Sequence, residues 1–139
     1  AIVPMPVTAS RFRSRGMNQV EYTMRRMSAQ LRRMGISLPV YDTAVKRVAF
    51  HKSQTQRHRN ERIEAMSPSM FTVVHPQLLN GKHILIADDV VTTGATVTAL
   101  AQAIMQVTTG VRFSLLSIGR TDNQGSSSPP TPPTPELQY

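Results

Sequence analysis

The stretch ILIADDVVTTGAT, residues 84–96, decides the fold. An apolar run of strand length begins at His83 and ends at Ala87, and two acids, two valines and a Thr-Thr-Gly turn follow it. Apolar residues then recur at helical spacing up to Gly110. Because a buried strand that leads into a helix through a polar loop is half of a βαβ unit, the stretch predicts an α/β domain.

Extended and helical segments alternate on either side of this stretch. Upstream, a strand over 1–3 and a loop to Gly16 precede a helix that begins at Asn18, paired with Glu21 as an N-cap, and ends at Gly35. The remaining predicted elements are a partly extended segment over 38–48, a polar loop with a short helix over 49–66, and strands over 71–74 and 111–118.

These elements predict a Rossmann-like α/β fold, a parallel sheet flanked by helices and covered on both faces. We expect this domain to occupy residues 1–120. Residues 121–139 carry five of the ten prolines and almost no apolar side chains, a composition typical of a disordered Pro/Ser/Thr-rich tail.

Composition excludes several classes of protein. The 139 residues suit one domain, and no stretch approaches the roughly 18 consecutive apolar residues of a membrane span. Without cysteine there is no disulfide framework, thiolate nucleophile or cysteine-ligated zinc, and the four histidines lack H-E-x-x-H spacing. The chain begins with Ala1 and without a leader pattern, so we expect a processed or excised piece of a cytoplasmic protein with no membrane partner.

The positive charge is concentrated in one part of the chain. The net charge is +8, and residues 11–62 hold thirteen Lys and Arg against three acids. The rest of the chain is slightly acidic and contains the pair Asp88 and Asp89. Such a balance favours a polyanionic partner, either a phosphorylated small molecule or a nucleic acid.

The residues after the central strand suit a phosphorylated sugar. Asp88 and Asp89 are expected to leave the sheet at its carboxyl edge, where their oxygens can accept hydrogen bonds from vicinal hydroxyls or lie near a hydrated divalent cation. Gly94 allows a close approach of the backbone, and the unpaired amides of the next helix can bind phosphate. The structural alternative is a helix cap and an ordinary turn, which needs fewer polar residues than this loop contains.

Residues 84–96 resemble the phosphoribosyl pyrophosphate (PRPP) motif of type I phosphoribosyltransferases. Further resemblance, to the ComF or competence-related members, lies in VPMP at 3–6, RSRGMNQ at 13–19 and a Gln54, Arg62, Phe71 series. The resemblance covers residues 1–118. Met17 replaces the family's phenylalanine, and Ala65 stands where its asparagine is expected.

The resemblance implies a type I phosphoribosyltransferase fold with a truncated hood, since the cysteine-rich zinc segment and helix that usually precede the first strand are not in this sequence. It implies that Asp88 and Asp89 bind the ribose 2′ and 3′ hydroxyls, with Mg²⁺ held through PRPP near Asp88. It also implies a 5′-phosphate site made of Thr92, Thr93, Gly94, Ala95 and Thr96.

Pyrophosphate would then meet a basic loop after the first strand, which offers Arg11, Arg13 and Arg15. A flexible lid over residues 47–62 would close over the reaction, with a set of basic side chains that comprises Arg47, Lys52, Arg57, Arg59 and Arg62. The implied reaction transfers phosphoribose from PRPP to an amine or base and releases pyrophosphate through an oxocarbenium-like sugar.

The sequence leaves a second class of function open. A non-catalytic module that senses PRPP or a nucleotide, or that binds nucleic acid in DNA uptake, would keep the same fold and use the basic segment. Base stacking has little support, because the basic region contains only four aromatic residues, Phe12, Tyr22, Tyr41 and Phe50. Neither the acceptor nor the oligomeric state, with a homodimer as one alternative, can be read from the residues.

Overall fold

The computed structural model describes residues 1–48 and 67–121. Its strands are β1 (Ile2–Pro4), β2 (Val45–Arg47), β3 (Phe71–Val73), β4 (His83–Val91) and β5 (Arg112–Arg120). Its α-helices are α1 (Ala9–Arg15), α2 (Gln19–Arg33) and α3 (Ala95–Met105), and two short 3-10 turns lie at Pro68–Met70 and Pro76–Leu78.

A three-stranded parallel sheet forms the centre of the domain. Its order is β1-β4-β5, so the central strand is β4, and it pairs with both neighbours in parallel. The strands β2 and β3 form a separate antiparallel ribbon, in which Val45 lies opposite Val73. The α/β prediction is confirmed, with the correction that the strand predicted over 71–74 belongs to the ribbon and not to the parallel sheet.

Helices cover both faces of the central strand, as predicted from its apolar sequence. Ile84 and Ile86 are fully buried in one apolar cluster with Leu100 and Ile104 of α3. On the opposite face, Ala87 packs in a second cluster that includes Met24 of α2. Because each fully buried Leu or Ile contributes about 1.5–3 kcal/mol, these two contacts hold α2 and α3 on opposite faces of the sheet.

The helix predicted from the Asn18 cap is confirmed as α2. The Asn18 side-chain oxygen accepts hydrogen bonds from the amides of Val20 (3.2 Å) and Glu21 (3.4 Å). Gly35, at φ 81°, follows the last turn as the predicted stop. The Glu21 carboxylate binds Arg25, which also contacts Asp42.

The prediction of a loop between the first strand and Gly16 is wrong, because residues 9–15 form α1. The Thr8 hydroxyl caps the helix by accepting from the Arg11 amide at 3.3 Å. Gly16, at φ 73°, ends it by donating its amide to the Phe12 carbonyl. No residue of α1 is buried, so the helix has no apolar period from which it could be predicted.

Candidate functional site

The candidate site lies at the carboxyl edge of the parallel sheet, between β1 and β4. These neighbouring strands lead to helices on opposite faces, since the chain after β1 reaches α2 and the chain after β4 enters α3. Ligands of open α/β sheets bind at such a switch point, because the two connections diverge and leave a crevice. This crevice is an open cavity of about 390 Å³.

We refer to this cavity as the central cleft. The ends of β1 and β2, helix α1, the start of α2 and the end of β4 contribute to its walls. Charged side chains from three of these elements line it, namely Arg11, Arg15, Arg47, Asp88 and Asp89. Its volume is within the range of sites that bind small molecules.

The two acids lie within β4, where the sequence predicted that they leave the sheet. Pairing with β5 continues past them, with Asp88 opposite Ser117 and Val91 opposite Arg120. The prediction failed because the parallel partner extends the strand beyond its apolar residues. Asp88 and Asp89 nevertheless both line the central cleft near the carboxyl end of the strand.

Asp88 is the more buried of the two acids, and its environment disfavours ionisation. Burial is the largest cause that raises the pKa of Asp88, and the neighbouring Asp89 side chain adds to it. The Asp89 amide, which donates to the Asp88 carboxylate at 3.0 Å, and the charge of Arg47 act in the opposite direction. A cation or a hydroxyl donor bound at Asp88 would therefore relieve an unfavourable charge.

Helix α1 directs two of its three arginines into the cleft. Arg11 and Arg15 are four residues apart, so they lie on the same face of the helix. Both line the central cleft, whereas Arg13 lines a different cavity beside Glu21 and Asp42. The structure thus separates three arginines that the sequence grouped as one pyrophosphate loop.

Arg47 reaches the cleft from the ribbon. The sequence placed it at the start of the lid, but it is the last residue of β2, opposite Phe71 of β3. Its guanidinium lies 5.8 Å from the centroid of the Phe71 ring. Burial is the main cause that lowers the pKa of Arg47, the nearby Arg11 adds to it, and Asp88 opposes it.

The nearness of Arg11 disfavours the charged form of Arg47 when no anion is bound between them. The pKa of Arg47 is lowered because burial and a second cation both disfavour its charged form. An anion placed between these two guanidiniums and Arg15 would favour all three charges. The part of the cleft that these arginines line is therefore suited to a strongly negative group.

The Thr-Thr-Gly turn joins β4 to α3 next to the acids. Gly94 has φ 76° and is the N-cap residue of α3, so the cap position itself carries no side chain. The Thr93 hydroxyl accepts from the Ala95 amide at 3.4 Å. A small open cavity at this turn is lined by Asp88 and by all five residues of the predicted phosphate site, Thr92, Thr93, Gly94, Ala95 and Thr96.

Thr92 and Thr96 line both this small cavity and the central cleft. A ligand that spans the two would pass over Asp88, which borders each of them. The positive end of the α3 dipole and the amides of its first turn favour an anion at the turn.

A third cavity, which we call the apolar cavity, borders the acids on the side of α2 and β5. It measures about 430 Å³, and apolar and aromatic side chains form most of its walls. They include Met17, Val20, Tyr22, Leu116 and Ile118. Ile118 is 80% exposed and Tyr22 is 53% exposed, so the cavity is open to solvent.

Within residues 1–48 and 67–121, no three His, Cys, Asp or Glu residues cluster as a metal site. Among the described residues, Asp88 and Asp89 are the two carboxylates that line the cleft. This number of ligands fits Mg²⁺, which keeps several waters and is held through one or two carboxylates together with the phosphates of a ligand.

Several predictions fall outside the described residues. They concern the lid with Lys52, Arg57, Arg59 and Arg62, the short helix before Pro68, the Gln54 and Ala65 positions and the tail beyond Thr121.

Across the part of the chain that the structure describes, none of the helices combines the length and apolar character needed to cross a bilayer.

Sequence reasoning missed the contribution of β1 and of Asn18 to the cleft. Met5, Pro6 and Val7 form its wall at the carboxyl end of β1, and Asn18 lies beside them. The N-cap pattern identified Asn18 as the start of a helix, but it contains no signal for the hydrogen bond that the side chain also donates to the Met5 carbonyl.

Comparisons of the chain with protein-family models, curated proteins and solved structures found no significant match.

Proposed function

We propose that this chain is a type I phosphoribosyltransferase of the ComF kind, which binds PRPP with Mg²⁺ and transfers phosphoribose to an amine or base. The observation that carries the proposal is the convergence on Asp88 of three cavities with different linings, one at a helix N-terminus, one rich in arginine and one apolar. PRPP and an acceptor have parts that match each of them.

Each part of PRPP is assigned by charge and hydrogen bonding. The 5′-phosphate binds at the Thr-Thr-Gly turn, where threonine hydroxyls and the amides of α3 can donate to it. The ribose diol donates to Asp88 and Asp89. Pyrophosphate binds among Arg11, Arg15 and Arg47, whose clustered positive charge in the cleft supports this assignment.

Asp88 would help to hold Mg²⁺, which when bound would stabilise negative charge on the leaving group. The protein's own contribution is mainly electrostatic. Arg11, Arg15 and Arg47 are placed before the reaction on the side where negative charge develops. Asp88 and Asp89 hold the sugar and face its positive charge as the bond to pyrophosphate lengthens.

The apolar cavity supports an assignment for the acceptor. It shares Asp88 and Asp89 with the central cleft but has no arginine in its wall, so an acceptor there would meet the sugar away from pyrophosphate. The bond between ribose C1 and pyrophosphate breaks, a bond from C1 to the acceptor nitrogen forms, and the nitrogen releases a proton to solvent. No covalent intermediate with the protein is required.

Calorimetry with Mg-PRPP tests the donor site. We expect saturable binding to the full chain, and a loss of about a hundredfold or more in the double variant Asp88→Asn, Asp89→Asn, because the hydrogen bonds from the ribose diol lose their charged acceptors. Glu21→Gln is the matched control, since it neutralises an acid outside the cleft. Equal affinity for the double variant and the control would contradict the proposed ribose site.

Release of pyrophosphate separates an enzyme from a sensor. An enzyme would release pyrophosphate from PRPP when a mixture of free bases and amines is supplied, and the release would depend on the acids. A chain that binds Mg-PRPP but releases none with any acceptor would be the PRPP-sensing module that the sequence left open.

A nucleic-acid interface is the second candidate. Arg26, Arg32 and Arg33 are exposed on α2 and line neither the central cleft nor the apolar cavity. We expect binding through them to weaken linearly with the logarithm of salt, and Arg32→Gln with Arg33→Gln to reduce that slope by about 2. Binding that is insensitive to salt would exclude this candidate.

A further inference from the structure

The side chain of Asn18 connects the two ends of the segment that carries α1. Its amide nitrogen donates to the Met5 carbonyl at 3.2 Å, while its oxygen caps α2 through the amides of Val20 and Glu21. The residue is 9% exposed, and its bond to Met5 is buried, whereas the two capping bonds are partly buried. One side chain therefore closes the chain between Met5 and Asn18 into a loop.

This closure continues into the strand that carries the acids. The Met5 amide donates to the Ala87 carbonyl at 2.7 Å, and Ala87 directly precedes Asp88. A line of hydrogen bonds thus runs from β4 through Met5 and Asn18 to the first turn of α2. The loop that bears α1 is tied at its base to the same strand as Asp88 and Asp89.

Helix α1 has little else to hold it in place. None of its residues is buried, and Phe12, its one aromatic residue, is 48% exposed. The Thr8 and Gly16 caps stabilise the helix itself, but they make no contact that positions it against the cleft. The direction in which Arg11 and Arg15 point is therefore set at the base of the loop.

We propose that Asn18 is a positioning residue, whose amide fixes α1 so that Arg11 and Arg15 face Asp88 across the central cleft. The inference rests on the proposed function in one respect, that the ligand of these arginines is the diphosphate end of PRPP. Asn18 sets the affinity for that end and leaves the 5′-phosphate end, which binds at Gly94, unaffected.

Asn18→Ser isolates the bond to Met5. Serine is as good an N-cap as asparagine and carries no charge, but its side chain is too short to cap α2 and reach the Met5 carbonyl together. We expect affinity for Mg-pyrophosphate to fall about tenfold, because a preorganised site is lost. Affinity for ribose 5-phosphate should stay within about twofold. An equal loss for both ligands would overturn the inference.

Trypsin gives a readout that needs no ligand, because α1 contains three of its cleavage sites. In Asn18→Ser we expect cleavage after Arg11, Arg13 and Arg15 to become about fivefold faster, as one hydrogen bond fewer opposes local opening. Sites after Arg25 and Arg26 in α2 are the internal control and should change by less than about twofold. Unchanged cleavage of α1 would overturn the inference.

These readouts separate the two proposals. Wild-type chain that binds neither Mg-pyrophosphate nor ribose 5-phosphate refutes the proposed function, while faster cleavage of α1 in the variant still supports the Asn18 contact. If Asn18→Ser does not fold, Asn18→Asp, which keeps the length and the capping oxygen but cannot donate to Met5, is subject to the same expectations and the same refutation.

Discussion

Gly94→Ala tests the geometry of the turn on which the proposed phosphate site depends. Gly94 has φ 76°, and a Cβ built there meets no atom within 4 Å. Alanine would therefore fit without a clash, and its cost comes from the left-handed backbone alone, about 1–2 kcal/mol. The substitution also stiffens the unfolded chain, which returns about 0.4–1 kcal/mol.

The net loss for Gly94→Ala is about 1 kcal/mol, which lowers the melting temperature of a domain of this size by about 4–8 °C. Gly119→Ala is the matched control. Gly119 does not have a positive φ, and its Cβ would lie 3.7 Å from Val90 Cγ2, an ordinary contact. The control should keep only the stiffening of the unfolded chain and become slightly more stable, by about 0.4–1 kcal/mol.

Thermal unfolding followed by circular dichroism measures both variants. Gly94→Asn should lie between wild type and Gly94→Ala, because asparagine tolerates the left-handed region. If Gly94→Ala and Gly119→Ala had the same melting temperature, the turn would not adopt the positive φ described above. The assignment of the 5′-phosphate to this turn would then lose its structural basis.

Three further predictions follow from the cleft and the core. Because burial raises the pKa of Asp88, the contribution of Asp88 to the stability of the fold is greatest below the ordinary carboxyl range and is lost as pH rises through the raised value. Asp88→Asn should therefore raise the melting temperature at pH 7 and lose this advantage near pH 3, and an advantage independent of pH would contradict the cause given. Arg47→Gln should weaken Mg-pyrophosphate binding in calorimetry by about tenfold or more, whereas the adjacent Lys46→Gln should not, and equal effects would remove Arg47 from the site. Leu100→Ala, at a fully buried position, should cost about 2–5 kcal/mol in urea unfolding, against less than about 0.5 kcal/mol for the half-exposed Val107→Ala; similar values would contradict the packing of α3.

Elements with a strong local pattern were predictable. The apolar run up to Ala87 becomes part of β4, the Asn18 cap begins α2, and the apolar residues after Gly94 form α3. Their side chains alternate or recur at fixed spacing because one or both faces are buried in the core. The residues of the acid pair and of the Thr-Thr-Gly turn could be selected for the same reason, as polar interruptions of a buried pattern.

The tertiary structure alone decided how the basic residues are arranged. Arg11 and Arg15 line the same cleft as the acids and Arg13 does not. The sequence could not predict this, because α1 buries no residue and so has no apolar period. Arg47 lines the cleft because β2 pairs with β3, a contact between residues far apart in the chain.

The sequence by itself therefore determined the α/β class, the central strand, two of the helices and the polar residues that interrupt its apolar pattern. Only the tertiary structure decided which cations oppose those residues and how Asn18 ties α1 to them. The physical reason is the separation of the contacting residues along the chain. Local patterns indicate whether a side chain is buried, whereas the order and pairing of the strands set which distant residues meet.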